Sequence, residues 1–96
     1  MSKISISGNI EYPKEQITQQ IIDLIKGRLL TIKDEIESIE IDLKHFMNKY
    51  NLSNEEFLNK YQNDKLGDKE EYFVWESSIK LLDKLQKEKQ LLKAVL

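Results

Sequence analysis

Cysteine is absent from the 96-residue chain. There is therefore no disulfide framework, no thiol nucleophile and no thiolate metal site. Proline occurs once and glycine three times, which excludes a Pro/Gly-rich linker and a collagen. Charge of one sign is also lacking. Fifteen basic residues stand against seventeen acidic ones, for a net charge of −2, so bulk positive charge does not drive nucleic-acid binding. No apolar run approaches the ~18–20 residues needed to span a bilayer. The opening residues MSKISISGNIEY lack the apolar core of a signal peptide. These absences predict a soluble, cytoplasmic protein with no membrane partner, and the length predicts a single domain over residues 1–96.

What remains is periodicity, in three regions. Over residues 2–12, Ile4, Ile6, Ile10 and Tyr12 fall on one face at period two, and Lys3, Ser5, Ser7, Asn9 and Glu11 on the other. That pattern predicts a half-buried strand, with Gly8 on the apolar face allowing a bulge. The rest of the chain holds no second strand pattern. The backbone groups of a lone strand need a partner, so this strand is expected to pair with a second copy or with another protein's sheet edge.

The second region, residues 13–50, reads as one long helix. Pro13 suits a first helical turn, where its missing N–H costs nothing. Ile22, Ile25, Leu29, Ile32, Ile36, Ile39, Leu43, Phe46 and Tyr50 follow at spacings of 3, 4, 3, 4, 3, 4, 3 and 4. This is a heptad seam, flanked by Lys26, Arg28, Lys33, Glu35, Glu40 and Asp42. Ile21, Leu30, Ile41 and Met47 widen it beyond a two-stranded seam. Such a helix would be about 52 Å long.

In the third region, Asn51 tolerates the left-handed conformation that ends helices. Ser53 with Glu56 forms a capping box for a short helix over 53–63, which carries Phe57, Leu58 and Tyr61. Lys65, Leu66 and Gly67 form a loop, and Asp68 with Glu71 is expected to cap a closing helix over 68–95. Tyr72, Trp75, Ile79, Leu82, Leu85 and Leu92 form its main stripe, broadened by Leu81, Leu91 and Val95. The predicted fold is mainly α: a long antiparallel helical hairpin with a short elbow helix and an N-terminal β-strand. Phe46, Tyr50, Leu52, Phe57, Tyr61 and Trp75 gather at the elbow. Two helices bury only part of such broad stripes, so a homo-oligomer held by the seam from Ile22 to Phe46 is expected.

Candidate chemistry is sparse. The one histidine, His45, takes a solvent-facing heptad position. Asp42 precedes it by three residues, a metal-bundle spacing, but a site of that kind needs further inward-facing ligands. Ser38, Ser53, Ser77 and Ser78 have no paired base that would make a nucleophile. The acids Glu55, Glu56, Asp64, Asp68, Glu70, Glu71 and Glu76 are explained by helix N-termini, where carboxylates match the dipole. Gly8, Gly27 and Gly67 lie too far apart for a phosphate loop. Lys84, Lys87, Lys89 and Lys93 concentrate late in the last helix, interrupted by Asp83 and Glu88. They read as a solvated face before a phosphate-binding patch. No catalytic, cofactor or metal residue is assigned, and nucleic acid is an unfavoured partner.

One segment carries a resemblance. Phe46-Met47-Asn48-Lys49-Tyr50-Asn51-Leu52-Ser53-Asn54-Glu55-Glu56-Phe57, then Gly67-Asp68 and Trp75-Glu76, resembles a group of small helical prokaryotic proteins. Their pattern is Phe-x-x-Lys-Tyr, Ser-x-x-Glu-Phe, Gly-Asp and Trp-Glu after a long heptad-like helix. Asn51 stands where a glycine is commoner. Such proteins look like the antitoxin components of toxin–antitoxin pairs. The resemblance implies a protein-binding role, a small toxin as partner and no enzyme activity. A self-assembling coiled-coil scaffold and a small nucleic-acid-associated protein are the other readings.

Overall fold

Pro13, with φ −58° and ψ 136°, is the point where extended chain becomes helix. The computed structural model describes residues 3–6 and 10–96, with side-chain surroundings from residue 12 onward. Before Pro13 lie two short strands, β1 (Lys3–Ile6) and β2 (Ile10–Pro13). They pair antiparallel in a two-stranded sheet, Ile6 opposite Ile10 and Ile4 opposite Tyr12.

This corrects the expectation of one strand over 2–12 that pairs between chains: the segment finds its partner within itself. The reason is one of parity. Three residues separate Ile6 from Ile10, an odd number, so the period-two alternation passes through the connection unbroken. A single strand and a folded-back pair then give the same pattern. Ser7, Gly8 and Asn9, with the bulge expected at Gly8, lie outside the described residues.

Helix α1 spans Lys14–Tyr50. It ends where Asn51 adopts φ 52° and ψ 45° and its N–H bonds back to the Met47 carbonyl, the left-handed termination that a short amide side chain tolerates. Helix α2 (Asn54–Gln62) starts with the expected capping box. Ser53 Oγ accepts the Glu56 N–H at 3.1 Å, and the Glu56 carboxylate accepts the Ser53 N–H at 3.2 Å. That backbone bond holds the Glu56 carboxyl below its ordinary value. After α2, Gly67 takes φ 85°, a conformation that L side chains rarely adopt.

Helix α3 (Glu70–Val95) begins two residues later than expected. Lys69 occupies the cap position, with no side-chain cap hydrogen bond. Asp68 therefore does not cap this helix. The carboxylate that would complete its box, Glu71, is drawn across to α1 instead. It accepts from Lys49 Nζ at 2.7 Å and also from the Tyr50 hydroxyl. A charge-assisted bond outweighs a neutral backbone donor for the same oxygen atoms.

The core lies along α1. Ile32, Ile36 and Leu43 are its buried residues. Ile32 and Ile36 pack with Leu85, and Ile39, Leu82 and Leu92 surround them. Leu43 joins Phe57, Tyr72 and Trp75 in a second cluster at the elbow. Two cross-helix ion pairs bracket this core: Lys49 with Glu71 near the elbow, and Arg28 with Glu88 at 2.7 Å toward the other end. Later positions of α1 thus meet earlier positions of α3. The molecule is a rod with extents of 63 × 22 × 19 Å.

Candidate partner-binding surfaces

The seam residues divide by neighbourhood. Ile32, Ile36 and Leu43 are buried, while Ile22, Ile25, Leu29, Ile39, Phe46 and Tyr50 are half-buried. No seam residue is exposed, and its central part packs on α3 of the same chain. The physical reason is proximity: a helix joined by a short elbow covers the seam at lower entropic cost than a second molecule. The stretch expected to hold copies together is thus largely occupied within one chain. Ile4, Ile6 and Ile10 belong to the N-terminal strand pair.

The elbow brings together all the aromatic residues that the sequence assigned to it. Trp75 is fully buried. It stacks on Phe57 with ring centroids 3.8 Å apart and planes 7° from parallel. Phe46 and Tyr50 are near-parallel to it at 5.6 and 5.8 Å, and Tyr61 stacks on Phe57 at 5.3 Å. Two participants are additional to the expected set. Tyr72 lies edge-on to Tyr50 and Tyr61; its place three residues before Trp75 was the available signal. Asn54 accepts the Trp75 indole N–H at 2.8 Å, and no pattern in the sequence marked it. The elbow is a packed core, and among the described residues no buried side-chain polar atom lacks a hydrogen-bond partner.

His45 is exposed, and its ring lies 6.1 Å from Phe46. Among the described residues no three His, Cys, Asp or Glu side chains come together as metal ligands. His45→Ala is expected to change stability by no more than about 0.5 kcal/mol, the range of surface substitutions. Urea denaturation checks this.

Two apolar grooves lie toward the end of the rod away from the elbow. One, of about 610 Å³, is lined by Tyr12, Gln16, Ile17, Gln19, Gln20 and Ile21, where the strand pair joins α1. Leu24, one turn further along α1, is 72 % exposed. The second, of about 480 Å³, is lined by Leu29 and Leu30 with Lys26, Lys33, Lys89 and Lys93. Further exposed apolar side chains mark both helices: Ile41 on α1, and Phe73, Val74, Leu81, Leu91 and Val95 on α3. Of the late lysines, Lys87 is held by Asp83 at 2.8 Å.

The cross-helix carboxylates set the acid behaviour. Hydrogen bonds from Lys49 and then Tyr50 hold the Glu71 carboxyl below its ordinary value of 4.5, and Arg28 does the same for Glu88. Both values are depressed on folding, so their stabilisation is complete above about 4.5 and is lost as pH falls through the lower folded values. The partly exposed pairs are individually weak. Thermal unfolding followed against pH should therefore be flat near neutrality and decline on the acid side. The joint variant Glu71→Gln, Glu88→Gln should show a shallower acid decline.

Comparison of the chain with protein-family models, with curated proteins and with solved structures finds no match. Among the described residues no helix is long and apolar enough to cross a membrane.

Proposed function

We propose that this chain is a non-enzymatic protein-interaction module, antitoxin-like, which binds a small partner toxin and suppresses it by occlusion in the cytoplasm. Its working unit is an antiparallel helical hairpin with a strand pair at one end, and it acts without a cofactor. The observation that carries this reading is the surplus of apolar surface. Among the described residues the rod buries seven large hydrophobic side chains and leaves eleven exposed. Tyr12, Ile17 and Ile21 line one groove beside the strands, and Leu24 stands exposed one turn further along α1. Contiguous apolar surface of this kind marks interaction sites. The outer edges of a two-stranded sheet offer main-chain groups to a partner strand, which is how extended segments gain affinity. Inhibition through such surfaces is steric and stoichiometric.

Co-expression with the product of the adjacent gene is the test. Rescue of growth and co-purification of the two chains are expected, and Ile21→Glu with Leu24→Glu should weaken the complex without unfolding the rod. A neighbour that is harmless alone and forms no complex sinks the antitoxin reading and leaves the self-assembling scaffold, which the apolar surplus also supports.

A further inference from the structure

We infer that the lysine-lined groove between α1 and α3 takes an amphipathic helix of a partner protein, one whose apolar stripe is bordered by carboxylates. This rests on the interaction-module reading and deepens it by naming the partner's chemistry.

Six side chains line the groove, and each is a leucine or a lysine: Lys26, Leu29, Leu30 and Lys33 from α1, Lys89 and Lys93 from α3. A chain of net charge −2 thus gathers four positive charges round two apolar side chains. Lys26 stands one helical turn before the leucines and Lys33 one turn after them, about 10 Å apart along α1. Lys89 and Lys93 lie about 6 Å apart along α3. None of the four forms an ion pair with a described residue. This arrangement works against the fold. Like charges one turn apart destabilise a helix, and Lys89 is half-buried, where an unpaired charge loses hydration. Leu30 meanwhile is 67 % exposed.

The acids nearest in sequence to these residues on α1 are Asp23, Asp34 and Glu37. Asp34 is one turn past Leu30, Glu37 one turn past Lys33, and Asp23 accepts from Gln19 at 2.9 Å. None of the three lines the groove. On the α3 side the lysines continue into Gln86 and Gln90, and Glu88 is held by Arg28 at 2.7 Å. The uncompensated positive charge is therefore on the α3 side, and the flank of α1 beyond Leu30 carries Asp34.

A matching occupant has an apolar stripe to cover Leu29 and Leu30, carboxylates along the edge toward Lys89 and Lys93, and a neutral or basic edge over Asp34. An amphipathic helix supplies all three, because residues three and four apart share a face and a helix laid into a groove presents that face whole. Two other anionic surfaces fit less well. A bilayer is flat and leaves the half-buried Leu29 uncovered. Single-stranded nucleic acid gains affinity by stacking bases on aromatic rings, and the groove is lined by leucine and lysine alone.

Fluorescence anisotropy with the purified full chain tests this without any toxin. The probe is a labelled synthetic helical peptide with a leucine stripe bordered by glutamate on one edge and glutamine on the other. Its control has the same composition in shuffled order, so the charge is kept and the stripe is lost. The probe should bind roughly tenfold tighter than the control, the scale of burying one leucine side chain. Lys33→Glu with Lys93→Glu should weaken probe binding by roughly tenfold or more, since acid then faces acid. Lys60→Glu with Lys65→Glu, the same charge change at the elbow, should leave it within about twofold at about 0.15 M salt, where exposed charges are screened beyond about 8 Å. Circular dichroism should stay unchanged, as all four positions are exposed. Absent binding, equal binding of probe and control, or binding indifferent to the Lys33 and Lys93 reversal overturns the proposal. Tighter binding of phosphatidylglycerol vesicles or a single-stranded oligonucleotide than of the probe overturns it too, and makes the groove a phosphate site. So does a wild-type oligomer that the reversal dissolves, which gives the groove to a second copy. A complex with the neighbouring gene product that survives the reversal leaves the interaction module standing and overturns the groove alone.

Discussion

Trp75→Ala is expected to destabilise the chain by about 3–5 kcal/mol, the cost of emptying a large aromatic site in a core. Domains of this size have only about 5–15 kcal/mol in total. The ring is fully buried and in stacking contact with Phe57. Its removal leaves Phe46, Tyr50 and Phe57 facing a void, and leaves the Asn54 side-chain oxygen without its donor. Three helices converge on that one ring, so local collapse is limited by all of them. Trp75→Phe separates the contributions. It keeps much of the stacking and loses the indole bond, and should cost clearly less than the alanine variant. Urea denaturation followed by circular dichroism is the measurement. A loss below about 1 kcal/mol for the alanine variant would remove the elbow from its central place in the fold, since that is the scale of an ordinary surface change.

Ile32→Asp is the second large expectation. Ile32 is fully buried against Leu85 in the cluster midway along the rod, and the nearest ion pairs are already complete within themselves. A carboxylate there has no counter-charge, and an uncompensated buried charge costs about 3–5 kcal/mol. The substitution should largely unfold the chain or detach α3 from α1. Ile32→Val should cost only about 0.5–1.5 kcal/mol. The contrast between the two, read by thermal melting, tells burial from mere side-chain size. An aspartate variant as stable as the wild type would mean that α3 does not cover this position in solution.

The heptad spacing from Ile22 to Tyr50 was enough to mark a face of α1 on which three residues are buried and six half-buried, because helix geometry leaves a 3–4 pattern only one face. The elbow was legible for a related reason. Asn51 and Ser53 carry local signals whose partners lie within four residues, and those partners are where the chain puts them. Legibility ended where two outcomes share one local pattern, or where the deciding partner is distant. The strand pair and a single strand give the same alternation. Asp68 reads as a cap until Lys49 and Tyr50, some twenty residues earlier, take up Glu71. Arg28 and Glu88 are sixty residues apart, and nothing in either neighbourhood announces the other. What covers the seam was the consequential ambiguity. Heptads specify that an apolar stripe is to be buried, and they do not specify whether a second molecule or the chain's own α3 buries it.

The aromatic knot sits at one end of the rod, with no counterpart among the described residues at the other. At the elbow three helices, a capping box and an indole bond overlap within a short stretch. At the far end α1 meets β2 and the last turns of α3, whose Leu91, Val95 and Leu96 stand largely in water. Opening free energy should therefore fall steadily with distance from Trp75, so that the rod unzips from its open end long before it melts as a whole. The sole tryptophan is then a reporter of the last event only: its fluorescence would stay native while the other end is already exchanging its amide hydrogens freely. A ligand seated at that open end would slow amide exchange there first, and would raise the melting temperature with little change in tryptophan emission.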